Sequence, residues 1–291
     1  MRRSVRFPIV AAALLALSGL AGSPARALNF SVGDVVVQNL SSFGFENSAS
    51  RLYFDGGTDN LIYQMMGFVG TAGGSGVVAV DGGGFRTLPG QGINVTTSSN
   101  TATATSGLRM RNRTANTLGL QRGAFTTQNT FTFTNDTSPA DADSFTWDVT
   151  FTNQTAAVLD LVYYSYLDLE AGGTFANDVA TGSVNGFTIA DTDPSVAPVR
   201  WMTSQAADHF ELQAWPSGLT LLNNMTAAAD LGDPTGTLTG DFTGILQYNL
   251  SLAPGQSTTL STAVPEPAMR VLLLLVGMAL WSRRPDPAAS R

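Results

Sequence analysis

The chain is predicted to be all-β, a single antiparallel β-sandwich over residues 28–262. Three observations carry this prediction. The body is written in Thr, Ser, Val, Phe and Tyr, punctuated by Gly, Asn and Asp, the residues of pleated strands and tight turns. Apolar residues recur at every second position in segment after segment, and no stretch of about 12 residues holds a helical period. Turn residues interrupt these runs at strand-length spacing, the pattern of a sandwich. A body of roughly 235 residues is long enough for one large all-β core.

The elements follow in order. Residues 1–27 read as a secretory signal peptide: Arg2, Arg3 and Arg6, then a small and apolar run over 8–22, then Ala25-Arg26-Ala27 as an A-x-A cleavage site. Cleavage after Ala27 would make Leu28 the mature start. Residues 67–92 are Gly-rich and read as long loops enclosing short strands at 77–80 and 85–88. Phe131 and Phe133 alternate with threonines. "SFTWDVTFT" places Phe145, Trp147, Val149 and Phe151 on one face and polar residues on the other. "LDLVYYSYLDLE" differs, with Leu159, Leu161, Tyr163 and Leu167 on one face and Val162, Tyr164 and Tyr166 on the other, as expected of a central strand buried on both sides. The short polar link at Asn153-Gln154 suggests that these two strands pair as a hairpin. Phe210 and Leu212, then Phe242, Leu246, Tyr248, Leu250 and Leu252, mark two later strands.

After a linker containing Pro265, Glu266 and Pro267 comes an apolar run over residues 271–281, then Arg283-Arg284. This run has 11 residues, whereas a spanning helix needs about 20. It suits transient membrane insertion, with the arginine pair on the cytoplasmic side. The order Pro-Glu-Pro, apolar helix, basic cluster resembles the PEP-CTERM sorting signal of exported bacterial proteins. The resemblance implies export through the Sec translocon, removal of the leader by signal peptidase, and recognition of the tail by exosortase near Pro265–Pro267. The protein would be tail-anchored in the inner membrane before processing and would lie at the cell surface or in the extracellular matrix afterwards. The body is also similar to a recurrent β-rich architecture in PEP-CTERM proteins, through residues 166–169, 172–178 and "LAPGQS" at 252–257. No chemistry comes with that likeness.

Charge narrows the partners. Between residues 28 and 262 there are 7 Arg, no Lys and 20 Asp or Glu, a net of −13. Such a body repels nucleic acid and anionic membrane. With no cysteine in the chain, the fold rests on its core and not on disulfides.

Catalytic signals are sparse. His209 is the single histidine, which rules out a multi-His metal site, and no G-x-S-x-G elbow occurs. "GSGVVA" at 74–79 has the letters of a dinucleotide loop, but a strand and a turn follow it where a helix is needed. Acidic residues gather at Asp141/Asp143, Asp168/Glu170/Asp178 and Asp191/Asp193. Ca²⁺ takes six to eight oxygens, and Asp168, Glu170 and Asp178 around a Gly-containing loop are the candidate ligands. No other cofactor is expected. Trp201, Trp215, Tyr163, Tyr164 and Tyr166 are the rings available for a glycan platform, although aromatics at strand spacing usually belong to a core. The expectation is a non-enzymatic exported protein with a structural or adhesive role, with extracellular polysaccharide as a candidate partner. The alternative is a secreted carbohydrate-binding or polysaccharide-degrading module.

Overall fold

A computed structural model describes residues 27–46, 49–54, 60–135, 144–172, 175–194, 196 and 198–265. The all-β expectation holds. In chain order the strands are β1 (Leu28–Val32), β2 (Val35–Leu40), β3 (Arg51–Tyr53), β4 (Ile62–Gly70), β5 (Val78–Ala79), β6 (Phe85–Thr87), β7 (Asn94–Thr97) and β8 (Thr101–Met110). After helix α1 (Asn112–Leu118) come β9 (Phe125–Thr134), β10 (Ser144–Asn153), β11 (Leu159–Leu169), β12 (Asp178–Ser183), β13 (Gly186–Asp191), β14 (Val199–Thr203) and β15 (His209–Ala214). Helix α2 (Ser217–Asn224) precedes β16 (Thr237–Thr239), β17 (Phe242–Leu252) and β18 (Ser257–Pro265).

These form three antiparallel sheets. The largest runs β16-β12-β13-β14-β18-β10-β9-β8-β6, with β7 beside β8. A five-stranded sheet runs β15-β17-β11-β4-β5, and β1-β2-β3 form a small third sheet. The two larger sheets share one apolar core. The Phe151 ring of β10 meets the Tyr163 ring of β11 at 5.0 Å between centroids. Trp147 lies edge-on to Trp201 at 6.5 Å. Each ring taken out of water contributes about 2–3 kcal/mol. The small sheet joins the same core through Phe30, 5.3 Å from Phe133. The alternation read for β10 is the one found, with Phe145, Trp147, Val149 and Phe151 all buried.

β11 sits in the middle of its sheet and is buried on both faces, as its sequence implied. Its outer face carries Tyr164 and Tyr166, which pack with Met66, Phe68, Ile245, Leu222 and Leu231 in a second apolar cluster. α2 and the segment 225–236 lie over this face. Tyr164 Oη donates to Ala229 O (2.8 Å) and accepts from Ala229 N (3.0 Å), while Gln247 Oε1 accepts from Leu231 N (2.9 Å). The helices have seven and eight residues, shorter than the window in which a helical period can be read.

Two expectations are corrected or extended. β10 and β11 are not a hairpin: β10 pairs with β9 and β18, and β11 pairs with β17 and β4. The link between them crosses from one sheet to the other. Asn153 holds that crossing, its buried amide donating to Ala157 O (2.7 Å) and Leu252 O (2.9 Å). β18 continues past residue 262, so that Ala263, Val264 and Pro265 pair with Thr146, Phe145 and Ser144 instead of starting a linker. The signal-peptide residue Ala25, the motif residues Glu266 and Pro267, the 271–281 run and Arg283-Arg284 lie outside the described residues. Among the described residues no helix is long and apolar enough to cross a membrane.

Candidate functional site

The end of β11 changes from aromatic to acidic. Alternation carries Asp168 onto the face of Tyr164 and Tyr166, and Glu170 follows as the strand ends. Asp178 opens β12, and its carboxylate accepts from Ala171 N at 3.4 Å. Gly240 N donates to the carbonyl of Asp178 (2.8 Å), which brings Asp241, just ahead of β17, to the same place. Directly across the β12–β13 ladder from Asp178 stands Asp191. Asp191 is engaged in its own turn, accepting from Asn177 Nδ2 (2.8 Å) and Asp193 N (2.6 Å).

Asp168, Glu170 and Asp178 are 5%, 3% and 1% exposed. Each keeps one buried oxygen with no hydrogen-bond partner: Asp168 Oδ1, Glu170 Oε2 and Asp178 Oδ1. Such burial disfavours the charged form, and each nearby negative charge disfavours it further. Burial, then the charges of Asp241 and Glu170, push the Asp168 carboxyl up to about 8. Burial, then Asp241 and Asp178, push Glu170 up to about 7, against a hydrogen bond from Tyr63 and the charge of Arg51. Asp178 rises to about 7 through burial, opposed by the Ala171 N–H and reinforced by Asp191 and Asp241. Asp241 is itself raised by burial. At neutral pH the group is part protonated and part ionised, so it can both donate and accept hydrogen bonds.

The surroundings of the group add exposed rings. Trp215 follows β15; its backbone N–H donates to Asp241 O (3.0 Å), and the residue is 51% exposed. Phe175, on the segment between Glu170 and Asp178, is also 51% exposed. The other rings considered for a platform, Trp201, Tyr163, Tyr164 and Tyr166, are buried. Sequence reasoning named Asp168, Glu170, Asp178 and Trp215; the fold brings the three carboxyls together and links the Trp215 backbone to Asp241 beside them. It missed Asp241 and Phe175. Asp241 is recruited by strand pairing far along the chain, and Phe175 had only its position inside the acidic loop to mark it. Among the described residues no group of three or more His, Cys, Asp and Glu side chains is set to hold a metal ion. Asp141 and Asp143 lie outside the described residues.

His209 opens β15 at the edge of its sheet, as expected. Its Nδ1 is 2.6 Å from Asp233 Oδ2 and its Nε2 is 3.6 Å from Asp230 Oδ1. Both ring nitrogens face carboxylates, so neither is placed to activate a hydroxyl nucleophile. The pair instead fastens the segment 225–236 to the sheet, together with Gly232 N donating to Glu211 Oε2 (3.1 Å) and Asp233 N to Phe210 O (3.1 Å). The Asp233 hydrogen bond raises the histidine's pKa, and His209 and Phe210 N lower that of Asp233. The histidine's share of the stability is complete below about 6.5 and is lost as pH climbs through its raised value. The aspartate's share is present above about 3.9 and is lost as pH falls through its depressed value. His209→Gln is therefore expected to speed amide exchange at Gly232 and Asp233 a few-fold near pH 6, with little change near pH 9. Equal exchange in both proteins at both pH values would remove His209 as the fastener.

No family model and no curated protein matches the chain. Among solved structures, it is similar to a bacterial glucoamylase complexed with acarbose, at 9% identity and a TM-score of 0.48, covering 88% of this chain and 36% of that one. It is also similar to a putative aldose 1-epimerase from Escherichia coli at 11% identity and a TM-score of 0.42, covering 82% and 98%. A third likeness is to the 4-alpha-glucanotransferase from Thermococcus litoralis at 6% identity and a TM-score of 0.44, covering 82% and 37%. The chain thus spans little more than a third of the glucoamylase and of the glucanotransferase.

Proposed function

We propose that this is an exported β-sandwich protein of the cell surface or extracellular matrix, sorted by its PEP-CTERM-like tail, whose body holds saccharide at the carboxyl group around Asp168. The role is adhesive. One observation carries the reading: the carbonyl of Asp241, the half-buried member of the carboxyl group, accepts from the backbone N–H of Trp215, whose side chain is exposed. Sugars present hydroxyls in both hydrogen-bonding senses and an apolar C–H face. Part-protonated carboxyls suit the first, and an exposed ring suits the second. The targeting part of the proposal rests on the two terminal sequence patterns alone.

Affinity electrophoresis and calorimetry against a panel of neutral polysaccharides test the reading. Wild type is expected to bind at least one of them, with Trp215→Ala weakening binding at least tenfold, about 1.4 kcal/mol. Binding is expected to be unchanged by added Ca²⁺ or by chelator. Equal binding by wild type and Trp215→Ala would sink the site. Release of reducing ends by wild type and not by Asp168→Asn would convert the adhesive role into a hydrolytic one. For the sorting part, the expected intact mass in the native host lacks residues 1–27 and the tail beyond the Pro-Glu-Pro motif. A full-length tail in the inner membrane would overturn it.

A further inference from the structure

The body is strongly acidic, yet five of its seven arginines, Arg86, Arg109, Arg111, Arg113 and Arg122, fall on one short stretch of fold from β6 to the turn before β9. Four of them, Arg86, Arg111, Arg113 and Arg122, line a single open cavity of about 540 Å³ with Gly83 and Asn112. The fifth, Arg109, stands directly across the β6–β8 ladder from Arg86. Like charges directly opposite one another destabilise a ladder unless something neutralises them. Nothing on the protein does so among the described residues. The ion pairs there within 4 Å are both made by His209, and none of these five arginines takes part in one. Arg86 Nε is buried with no acceptor. Asp81, on the turn before β6, turns its Oδ1 to the backbone, accepting from Gly83 N and Gly84 N at 2.8 Å each.

From this we infer that the cavity is an oxyanion-binding site, and that its ligand is an acidic saccharide bearing carboxylates, such as a uronate unit of a polysaccharide. Guanidinium forks match carboxylate oxygens two by two and keep their charge at any pH of interest. The lining has no aromatic ring and no large aliphatic side chain, so it offers nothing to a nucleobase or an acyl chain. The cavity falls within the size range of small-molecule sites. It also lies at the β6 edge of the large sheet, whereas Asp178 and Asp191 lie toward the β16 edge. The two ends of the body are thus suited to different parts of a glycan. The saccharide identity of the scaffold rests on the function proposed above; the oxyanion chemistry does not.

The test is calorimetry and retention of the full-length chain on polygalacturonate, neutral dextran and inorganic phosphate. Wild type is expected to bind polygalacturonate with an affinity that falls as salt rises. Arg113→Ser/Arg122→Ser, both exposed positions, is expected to weaken it at least tenfold while the melting temperature is kept. Arg200→Ser, a charge change at an exposed position elsewhere on the surface, is expected to bind as wild type does. Undiminished binding in the double arginine variant, or an equal loss in Arg200→Ser, would overturn the site. Binding of phosphate without polygalacturonate would overturn the saccharide and leave a free oxyanion as the ligand. The double arginine variant is read on polygalacturonate and Trp215→Ala on neutral polysaccharide, so failure of that reading and failure of this one are seen in different measurements.

Discussion

Lowering the pH from about 8.5 to about 5 is expected to stabilise this protein by on the order of 3 kcal/mol, or roughly 6–12 °C in melting temperature. The cause is the carboxyl group at the end of β11. In the unfolded chain Asp168, Glu170 and Asp178 would ionise near 4. In the folded protein they hold their protons up to about 8, 7 and 7. Between these limits the folded state binds more protons than the unfolded state, so stability falls as pH rises. The three shifts do not add in full, because protonating one carboxyl relieves its neighbours. Two other effects share this sign, the self-repulsion of an acidic body and the loss of the His209–Asp233 pair. Asp168→Asn separates them. It is expected to melt several degrees above wild type at about pH 8.5 and close to it at about pH 5, since the amide replaces a carboxyl that burial keeps protonated there. Thermal melts of both proteins across this range provide the check. A flat profile, or one that rises with pH, would mean that the carboxyls are not desolvated as described.

The same cluster shows how far the sequence could be read. Asp168, Glu170 and Asp178 stood out because they are close along the chain and follow a strand whose two-sided apolar character was visible in its letters. Asp241 could not stand out. It reaches the site only because β17 lies beside β11, with Leu167 opposite Gly244, and no local pattern encodes that pairing. The hairpin expected at Asn153 failed for the same reason. A tight polar link serves equally well to return a strand along its own sheet or to carry it across to the facing one. What decides is where Asn153 finds acceptors, and one of them, Leu252 O, is at the end of β17. The arginine cavity was half legible. "RMRNR" places Arg109, Arg111 and Arg113 at alternate positions, but Arg86 joins them only through the β6–β8 register. Alternation within a strand is local physics, whereas partner choice between strands is settled by the packing of the whole core.

Gly186→Ala is expected to cost on the order of 4 kcal/mol, from backbone strain and overlap with a paired strand together. Gly186 opens β13 with φ of +124°, a region that side chains other than glycine's avoid. A Cβ there would overlap the carbonyl oxygen of Trp201 and come within 3.1 Å of Met202 Cα. Those are backbone atoms of the paired strand β14, and a rotamer change cannot move them aside. The strands would have to part where Phe187 faces Trp201. Phe187 cannot follow freely, because its ring is seated on two other glycines. A Cβ at Gly182 or at Gly244 would lie 2.9 Å from it, so the ring joins β12 of the large sheet to β17 of the five-stranded one. Gly255→Ala is the control. Its φ is also positive, at +71°, but no atom lies within 4 Å of the added Cβ. Its cost should stop at the backbone penalty of about 1–2 kcal/mol. Denaturant midpoints for the two variants measure the difference, and equal losses would show that steric overlap at Trp201 is not the cause. The effect should also reach the carboxyl site. Gly244 lies opposite Leu167, the neighbour of Asp168, so a displaced Phe187 disturbs the pairing that buries Asp168. Gly186→Ala is therefore expected to flatten the pH response of stability as well as lower it, whereas Gly255→Ala should lower it slightly and leave its shape intact.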